Sequence, residues 1–286
     1  MENLNYYLKQ AKEGHYAIGH FNFATEDVLR GIVEASRDAG APAVMVGTSE
    51  GEADFIGMKE AAALVKAMRD DFGYPVFLNA DHYKSFEKCK EAVDAGYDAI
   101  IIDASKLSNE ENMALTKQVV DYCRSVNQAI SIEGELGYLK GSSEVQQKIE
   151  ISSADYSKPE EVLDFVSRTG VDRMAVVFGN IHGIVTEQEE KLDIEYFSKI
   201  VEAEPRPYYV LHGASGLKDE DVASSIKAGV TNVHFNTELR VAYRNAIDKA
   251  FHDNPNETTP YKYLAPAVEE VKKLVASKIK LFMSSR

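Results

Sequence analysis

Pro75-Val76-Phe77-Leu78-Asn79-Ala80-Asp81-His82 is the stretch on which the reading of this chain turns. A short, mostly apolar run with Gly73 before it and polar groups after it reads as a buried strand. This one delivers a carboxylate and an imidazole at its C-terminal end. Adjacent strand residues point to opposite faces, so the following turn must displace one of the two if both are to reach one cavity.

The pattern repeats outward in both directions. Toward the N-terminus, residues 60–70 read as a helix, residues 43–46 as a strand ending near Ser49, and residues 16–21 as a strand ending at Asn22. Between those strands Thr25 heads a helix with Glu26 and Asp27 in its first turn and Val28, Ile32 and Val33 as its apolar stripe. An amphipathic helix over residues 4–13 opens the chain.

Toward the C-terminus come a helix at 86–95, a strand at 99–102 ending at Asp103, a helix at 110–126, and a strand at 129–132 ending at Glu133 and Glu135. The polar stretch with Gly137, Gly141, Ser142, Ser143 and Glu144 is too poor in apolar residues for a core and reads as a mobile loop. Pro159 opens a helix to residue 168, and a strand at 174–178 leads into Gly179-Asn180-Ile181-His182-Gly183. A helix at 194–201 precedes a strand at 208–211 that runs into His212-Gly213-Ala214-Ser215-Gly216. A helix at 219–228, a strand at 232–235, a long helix headed by Thr237-Glu238 and a last helix from about residue 264 complete the chain.

Eight strand-then-helix units predict a (β/α)8 TIM barrel with additional N- and C-terminal helices, in one domain over residues 1–286. A doubly wound open sheet competes, but it carries its ligand at one switch point. Here Asn22, Ser49, Asp81, His82, Asp103, Glu133, Glu135, His182, His212 and Asn236 close strand after strand. In a barrel all those ends face one rim.

Composition bounds the partners. A formal net charge of -14 over 286 residues argues against nucleic acid and anionic membrane surfaces, so an anionic ligand needs local amides and helix N-termini. The two cysteines, Cys89 and Cys123, both fall in expected helices, which fits a reducing compartment. No basic-then-apolar leader opens the chain and no apolar run approaches the roughly 20 residues of a bilayer span, so a cytoplasmic protein is expected.

Three of the seven histidines, His82, His182 and His212, close the third, sixth and seventh expected strands. Three imidazoles on one rim suit a divalent ion such as zinc with a position left for substrate; taken singly, each is equally a hydrogen-bonded rim histidine. Asp81 reads as a general base, a partner of a ligand, or a salt-bridged structural residue. Gly179, Gly183, Gly213 and Gly216 bracket two of the histidines, and with the helix start at Asn236-Thr237 they suggest a phosphate site. His20 reads as a core histidine, and His15 and His252 as surface residues.

The runs Asn79-Ala80-Asp81-His82, Ile102-Asp103-Ala104-Ser105 followed by Glu110-Glu111-Asn112, Glu133-Gly134-Glu135-Leu136-Gly137, Gly179-Asn180-Ile181-His182-Gly183 and His212-Gly213-Ala214-Ser215-Gly216 resemble, in order and over most of the chain, the class II metal-dependent ketose-bisphosphate aldolases. The resemblance implies cleavage of fructose 1,6-bisphosphate, or of tagatose 1,6-bisphosphate, to glycerone phosphate and glyceraldehyde 3-phosphate. It implies that His82, His182 and His212 bind catalytic Zn2+ and that Asp81 moves the proton of the C4 hydroxyl. Gly183, Gly213, Ser215 and Thr237 would hold a phosphate, Asn22 and Ser49 would line the cleft, and Asp103 and Glu135 look like a second, weaker metal position. A monovalent cation (Na+ or K+) near the phosphate and a homo-dimer or homo-tetramer are also implied.

The sequence departs from the family pattern twice. His234 stands where the family has a substrate-touching asparagine, with Asn236 two residues on. Ser143 stands at the catalytic loop glutamate, leaving Glu144 as the nearest carboxylate and the candidate for protonating the enediolate. Breaking C3–C4 leaves an enediolate that a divalent ion can stabilise without a covalent intermediate; the Schiff-base alternative would have to use Lys84, Lys106 or Lys140 from adjoining loops. A metal-assisted hydrolase or isomerase on the same barrel, and a non-catalytic sugar-phosphate-binding barrel, are the rival readings.

Overall fold

The structure, a computed structural model, describes residues 2–188 and 190–284. Ten strands follow in chain order: β1 (Ile18–Asn22), β2 (Val44–Ser49), β3 (Val76–Tyr83), β4 (Ala99–Ile102), β5 (Ser131–Leu136), β6 (Gly141–Gln146), β7 (Arg173–Val176), β8 (His182–Val185), β9 (Tyr208–Leu211) and β10 (Val230–His234). Eight of them close a parallel barrel in the order β1, β2, β3, β4, β5, β7, β9, β10 and back to β1. Every expected strand is a barrel stave, so the TIM barrel of the sequence reading stands.

The helices are α1 (Leu4–Gly14), α2 (Glu26–Asp38), α3 (Glu50–Ile56), α4 (Met58–Phe72), α5 (Phe86–Ala95), α6 (Asn109–Val126), α7 (Pro159–Thr169), α8 (Ile194–Ala203), α9 (Asp219–Ala228), α10 (Thr237–Asp253) and α11 (Pro260–Phe282). Local chemistry starts several of them. Ser49 with Glu52 and Ser108 with Glu111 form capping boxes on α3 and α6, Ser85 caps α5, and Pro159 sits in the first turn of α7. Among the described residues no helix is long and apolar enough to cross a membrane.

Two apolar layers hold the barrel. The larger lies between strands and helices, where Val44, Val46, Val76 and Leu78 meet Leu29, Ile32, Val65 and Phe282 among others. The smaller plugs the N-terminal mouth: Leu4, Leu8 and Ala11 of α1 pack on Ile18, Met45, Phe77 and Ala99. Each such leucine contributes about 1.5–3 kcal/mol of burial. Above that plug the interior turns polar, with His20, Asn79, Ser131, Glu133, Arg173 and Asn232 all buried. The barrel is therefore apolar at its closed end and carries its titratable groups toward the open one.

Three local expectations need correction. The capping box at Ser49 nucleates α3, a helix absent from the sequence reading because its seven residues bury only Ala53. The polar stretch expected to be only a loop contains β6, which pairs in parallel with β8 outside the barrel. None of its residues is fully buried, so hydrophobic periodicity carried no sign of it. His182, expected to close the sixth strand, opens β8 instead, beyond β7, which ends at Val176.

Candidate active site

Asp81 and His82 both line one cavity of about 390 Å³ at the C-terminal rim, a size suited to a small metabolite. The displacement that two adjacent residues require is present. Pairing of β3 with β4 slips between Ala80 and Tyr83, and His82 adopts a φ of 54°, a left-handed conformation uncommon for histidine. The bulge re-aims one side chain without moving the other off the rim.

His82, His182 and His212 converge, with one ring nitrogen from each lying within 4.8 Å of the others. Their partners define which nitrogens are free. Nδ1 of His82 faces Asp103 Oδ2 at 3.1 Å and Glu135 Oε2 at 3.3 Å. Nε2 of His212 faces Glu133 Oε1 at 2.6 Å. Ionised carboxylates only accept, so those nitrogens donate and the lone pairs sit on His82 Nε2 and His212 Nδ1, which are 2.8 Å apart. Burial opposes charge on His82, yet Asp81, Asp103 and Glu135 hold its pKa well above the ordinary value. Burial, with repulsion from His82 and His212, pushes His182 down to about 3, so its ring is neutral. Imidazoles oriented by carboxylates, with one ring nitrogen each converging on one point, are the donor set that zinc favours, and these residues fit it. His82, Asp103 and Glu135 form a second cluster of ligating atoms.

The supports of this cluster are Glu133, which the sequence placed at a strand end without a role, and residues that the sequence did not mark. Glu133 Oε2 takes the buried guanidinium of Arg173 at 2.5 Å, and Arg173 also reaches Asn79 Oδ1 at 3.1 Å and Ser131 Oγ at 3.2 Å. A charged residue opening the apolar run 174–178 was the available signal for Arg173. The turn bearing His182 is held on both sides: His182 N–H donates to Lys140 O at 2.9 Å, and Ile181 N–H to Glu190 Oε1 at 2.8 Å. Glu190 is buried, and nothing in its local sequence marked it.

Asp81 Oδ2 accepts from Asn22 Nδ2 at 2.8 Å, and Asn22 is shared with Glu52, whose Oε2 in turn binds Ser49 Oγ at 2.9 Å. Burial alone would raise the Asp81 pKa, but His82 and His20 bring it down to about 2, leaving an ionised carboxylate in the cavity. On the opposite wall stand Gly183, Gly213, Ser215, Asn236 and Thr237. Gly213 has a φ of 70°, and a Cβ there would lie 1.9 Å from Ile181 O; a Cβ on Gly183 would lie 2.3 Å from the carbonyls of Ser142 and Glu144. Only glycine lets those backbones approach so closely.

Other expected residues are placed less simply. Ser143 turns inward and meets Thr237 Oγ1 at 3.1 Å, while Arg240 donates to the Ser143 carbonyl and hydroxyl. Glu144, its neighbour, is exposed and does not line the cavity. Lys84 and Lys106 line the cavity mouth, whereas Lys140 is ion-paired with Asp155 at 2.8 Å. His20 is buried against Asn79, and His15 and His252 are exposed.

A parallel barrel with its ionisable groups gathered at the strand C-termini defines a TIM-barrel enzyme that works at that rim. The chain belongs to the class II fructose-bisphosphate aldolase family, whose members are lyases and in general zinc-dependent: the family model "Fructose-bisphosphate aldolase class-II" matches residues 2–286. It is 36% identical over 281 residues to the fructose-bisphosphate aldolase of Staphylococcus aureus (strain N315), covering 97% of this chain and 96% of that one. The Geobacillus stearothermophilus fructose-bisphosphate aldolase is 34% identical, with 97% and 95% covered. Among solved structures, the YdjI aldolase from Escherichia coli K12 superposes with a TM-score of 0.85 at 30% identity, covering 99% of this chain and 98% of that one.

Proposed function

We propose that this protein cleaves a ketose 1,6-bisphosphate, fructose 1,6-bisphosphate first and tagatose 1,6-bisphosphate second, reversibly to glycerone phosphate and glyceraldehyde 3-phosphate. The observation that carries the reading is the convergence of His82, His182 and His212 on one point with Asp81 on the same rim. Those three imidazoles would hold zinc, with Asp103 and Glu135 orienting His82 and offering the weaker second position. A bound divalent ion supplies Lewis-acid stabilisation of the charge that develops on the substrate's carbonyl oxygen as C3–C4 breaks.

The rest is done by the chain. Asp81, oriented by Asn22, takes the C4 hydroxyl proton, and the breaking bond's electrons pass to the three-carbon fragment. Amides around Gly183 and Gly213, with the hydroxyls of Ser215 and Thr237 at the start of α10, hold a phosphate. A monovalent cation, Na+ or K+, accompanies it there. Ser49, His234 and Asn236 face the substrate. Glu144 returns a proton to C3 of the released fragment, which requires β6 to swing it inward from its exposed position. A single catalytic domain over residues 1–286, cytoplasmic and assembled as a homo-dimer or homo-tetramer, completes the reading. The test is a coupled assay of triose phosphate release from both bisphosphates with and without chelator. Chelator-sensitive release supports the reading, and absence of release from either substrate refutes it.

A further inference from the structure

His234 ends β10 opposite His20 of β1 in the barrel register. Its ring lies flat between two others: centroids are 3.7 Å apart and planes 8° off parallel with His20, and 4.4 Å and 13° with His212. Such close, near-parallel stacking restricts ring rotation on both sides. The outer ring is itself anchored. Asn79 gives its amide oxygen to Arg173 Nη2 at 3.1 Å, which leaves its nitrogen to donate to His20 Nε2 at 3.0 Å. Gly47 supplies the room, since a Cβ there would lie 2.3 Å from His20 Nε2.

The edges of the His234 ring are equally defined. Asn232 Nδ2 donates to Ile18 O at 2.9 Å, which turns its Oδ1 toward His234 Nε2 at 3.1 Å, so that nitrogen donates. The other edge places Nδ1 3.4 Å from Asp81 Oδ1, a buried oxygen with no hydrogen bond of its own. We infer that His234 is a positioning residue that fixes the plane of His212 through the His20–His234–His212 stack. An asparagine at this position, as the family resemblance would place there, offers no ring face to His212 and leaves the stack a slab short.

The inference rests on the proposed zinc site, so the experiment separates the two. Zinc affinity is measured on the full-length protein by competition with a chromophoric chelator, and ligand geometry by the visible spectrum of the Co(II)-substituted form. His82→Ala is the control for the site: wild-type zinc affinity in that variant would refute the zinc site and this inference together. With the control behaving as a ligand loss, His234→Asn weakens zinc by about tenfold and alters the Co(II) bands, the scale expected for a group that orients a metal ligand. His234→Phe keeps the stack, and with it the Co(II) spectrum and zinc affinity to within about threefold. Where His234→Asn does not fold, His234→Gln is read in the same way. Wild-type affinity and spectrum in the Asn or Gln variant, or a Phe variant that loses them as the Asn variant does, overturn the stacking role.

Discussion

Replacing Glu190 by glutamine makes the protein more stable, by an amount that grows with pH. Glu190 is 7% exposed; its Oε1 accepts from Ile181 N–H at 2.8 Å, and its buried Oε2 has no hydrogen-bond partner among the described residues. Burial pushes its pKa from 4.5 to about 8, against the Ile181 N–H, which favours the carboxylate, and with repulsion from Asp221 adding to the rise. The folded state therefore keeps a proton that the unfolded chain releases near its ordinary value. The sign follows: the stability this carboxyl contributes is fully present below pH 4.5 and is lost as pH rises toward 8. At about 1.4 kcal/mol per pH unit, the cost reaches on the order of 3 kcal/mol by pH 7 and levels off above pH 8. Glutamine keeps the acceptor for Ile181 without a proton to lose. Denaturant midpoints of wild type and Glu190→Gln at pH 5, 7 and 9 measure it: within about 1 kcal/mol of each other at pH 5, and separated by roughly 5 kcal/mol at pH 9. A separation that is the same at all three pH values would show that the Glu190 proton is not what differs between the folded and unfolded states. Because Ile181 precedes His182, the wild type should also lose zinc affinity above pH 8 more steeply than the variant.

Asp81→Asn keeps the size of the side chain and its contact with Asn22 but removes the base, so kcat should fall about 10²–10⁴-fold with KM nearly unchanged; a loss confined to KM would assign Asp81 to binding. Asp103→Asn removes the negative charge that faces His82 Nδ1 at 3.1 Å, while Glu135 remains at 3.3 Å. Zinc should weaken by roughly tenfold in chelator competition, and an unchanged dissociation constant would show that Asp103 does not orient the ligand. Glu144→Ala should slow exchange of the C3 proton of glycerone phosphate with solvent deuterium. Exchange at the parent rate would leave the proton return to another group.

The barrel was legible because its strands are buried on both faces and appear as near-continuous apolar runs: Ala99–Ile102 and Tyr208–Leu211 were placed to the residue. Long amphipathic helices such as Phe86–Ala95 and Asp219–Ala228 were equally plain. What escaped was structure that periodicity does not encode. β6 is held by pairing with β8 and by the Gln146 amide on the His182 carbonyl at 2.9 Å rather than by a buried face. At the site, the histidines and Asp81 were marked by residue type and by their place after apolar runs. Glu133 was marked in the same way, but the partners of Glu133, Arg173 and Glu190 lie 79, 40 and 9 positions away along the chain, distances over which a single sequence carries no pairing signal. His234 was recognised as a departure from the family pattern, but its stack on His20 and His212 depends on the register of β1 against β10.

The claim on which the account depends is that one ion held by His82, His182 and His212 is required for carbon–carbon cleavage. Stripping the purified protein with chelator and titrating zinc back, with triose phosphate release from fructose 1,6-bisphosphate as the readout, tests it directly. The account predicts negligible cleavage after stripping, recovery that saturates near one zinc per chain, and no recovery in His182→Ala. Undiminished cleavage by the stripped protein, or full recovery in that variant, would contradict it.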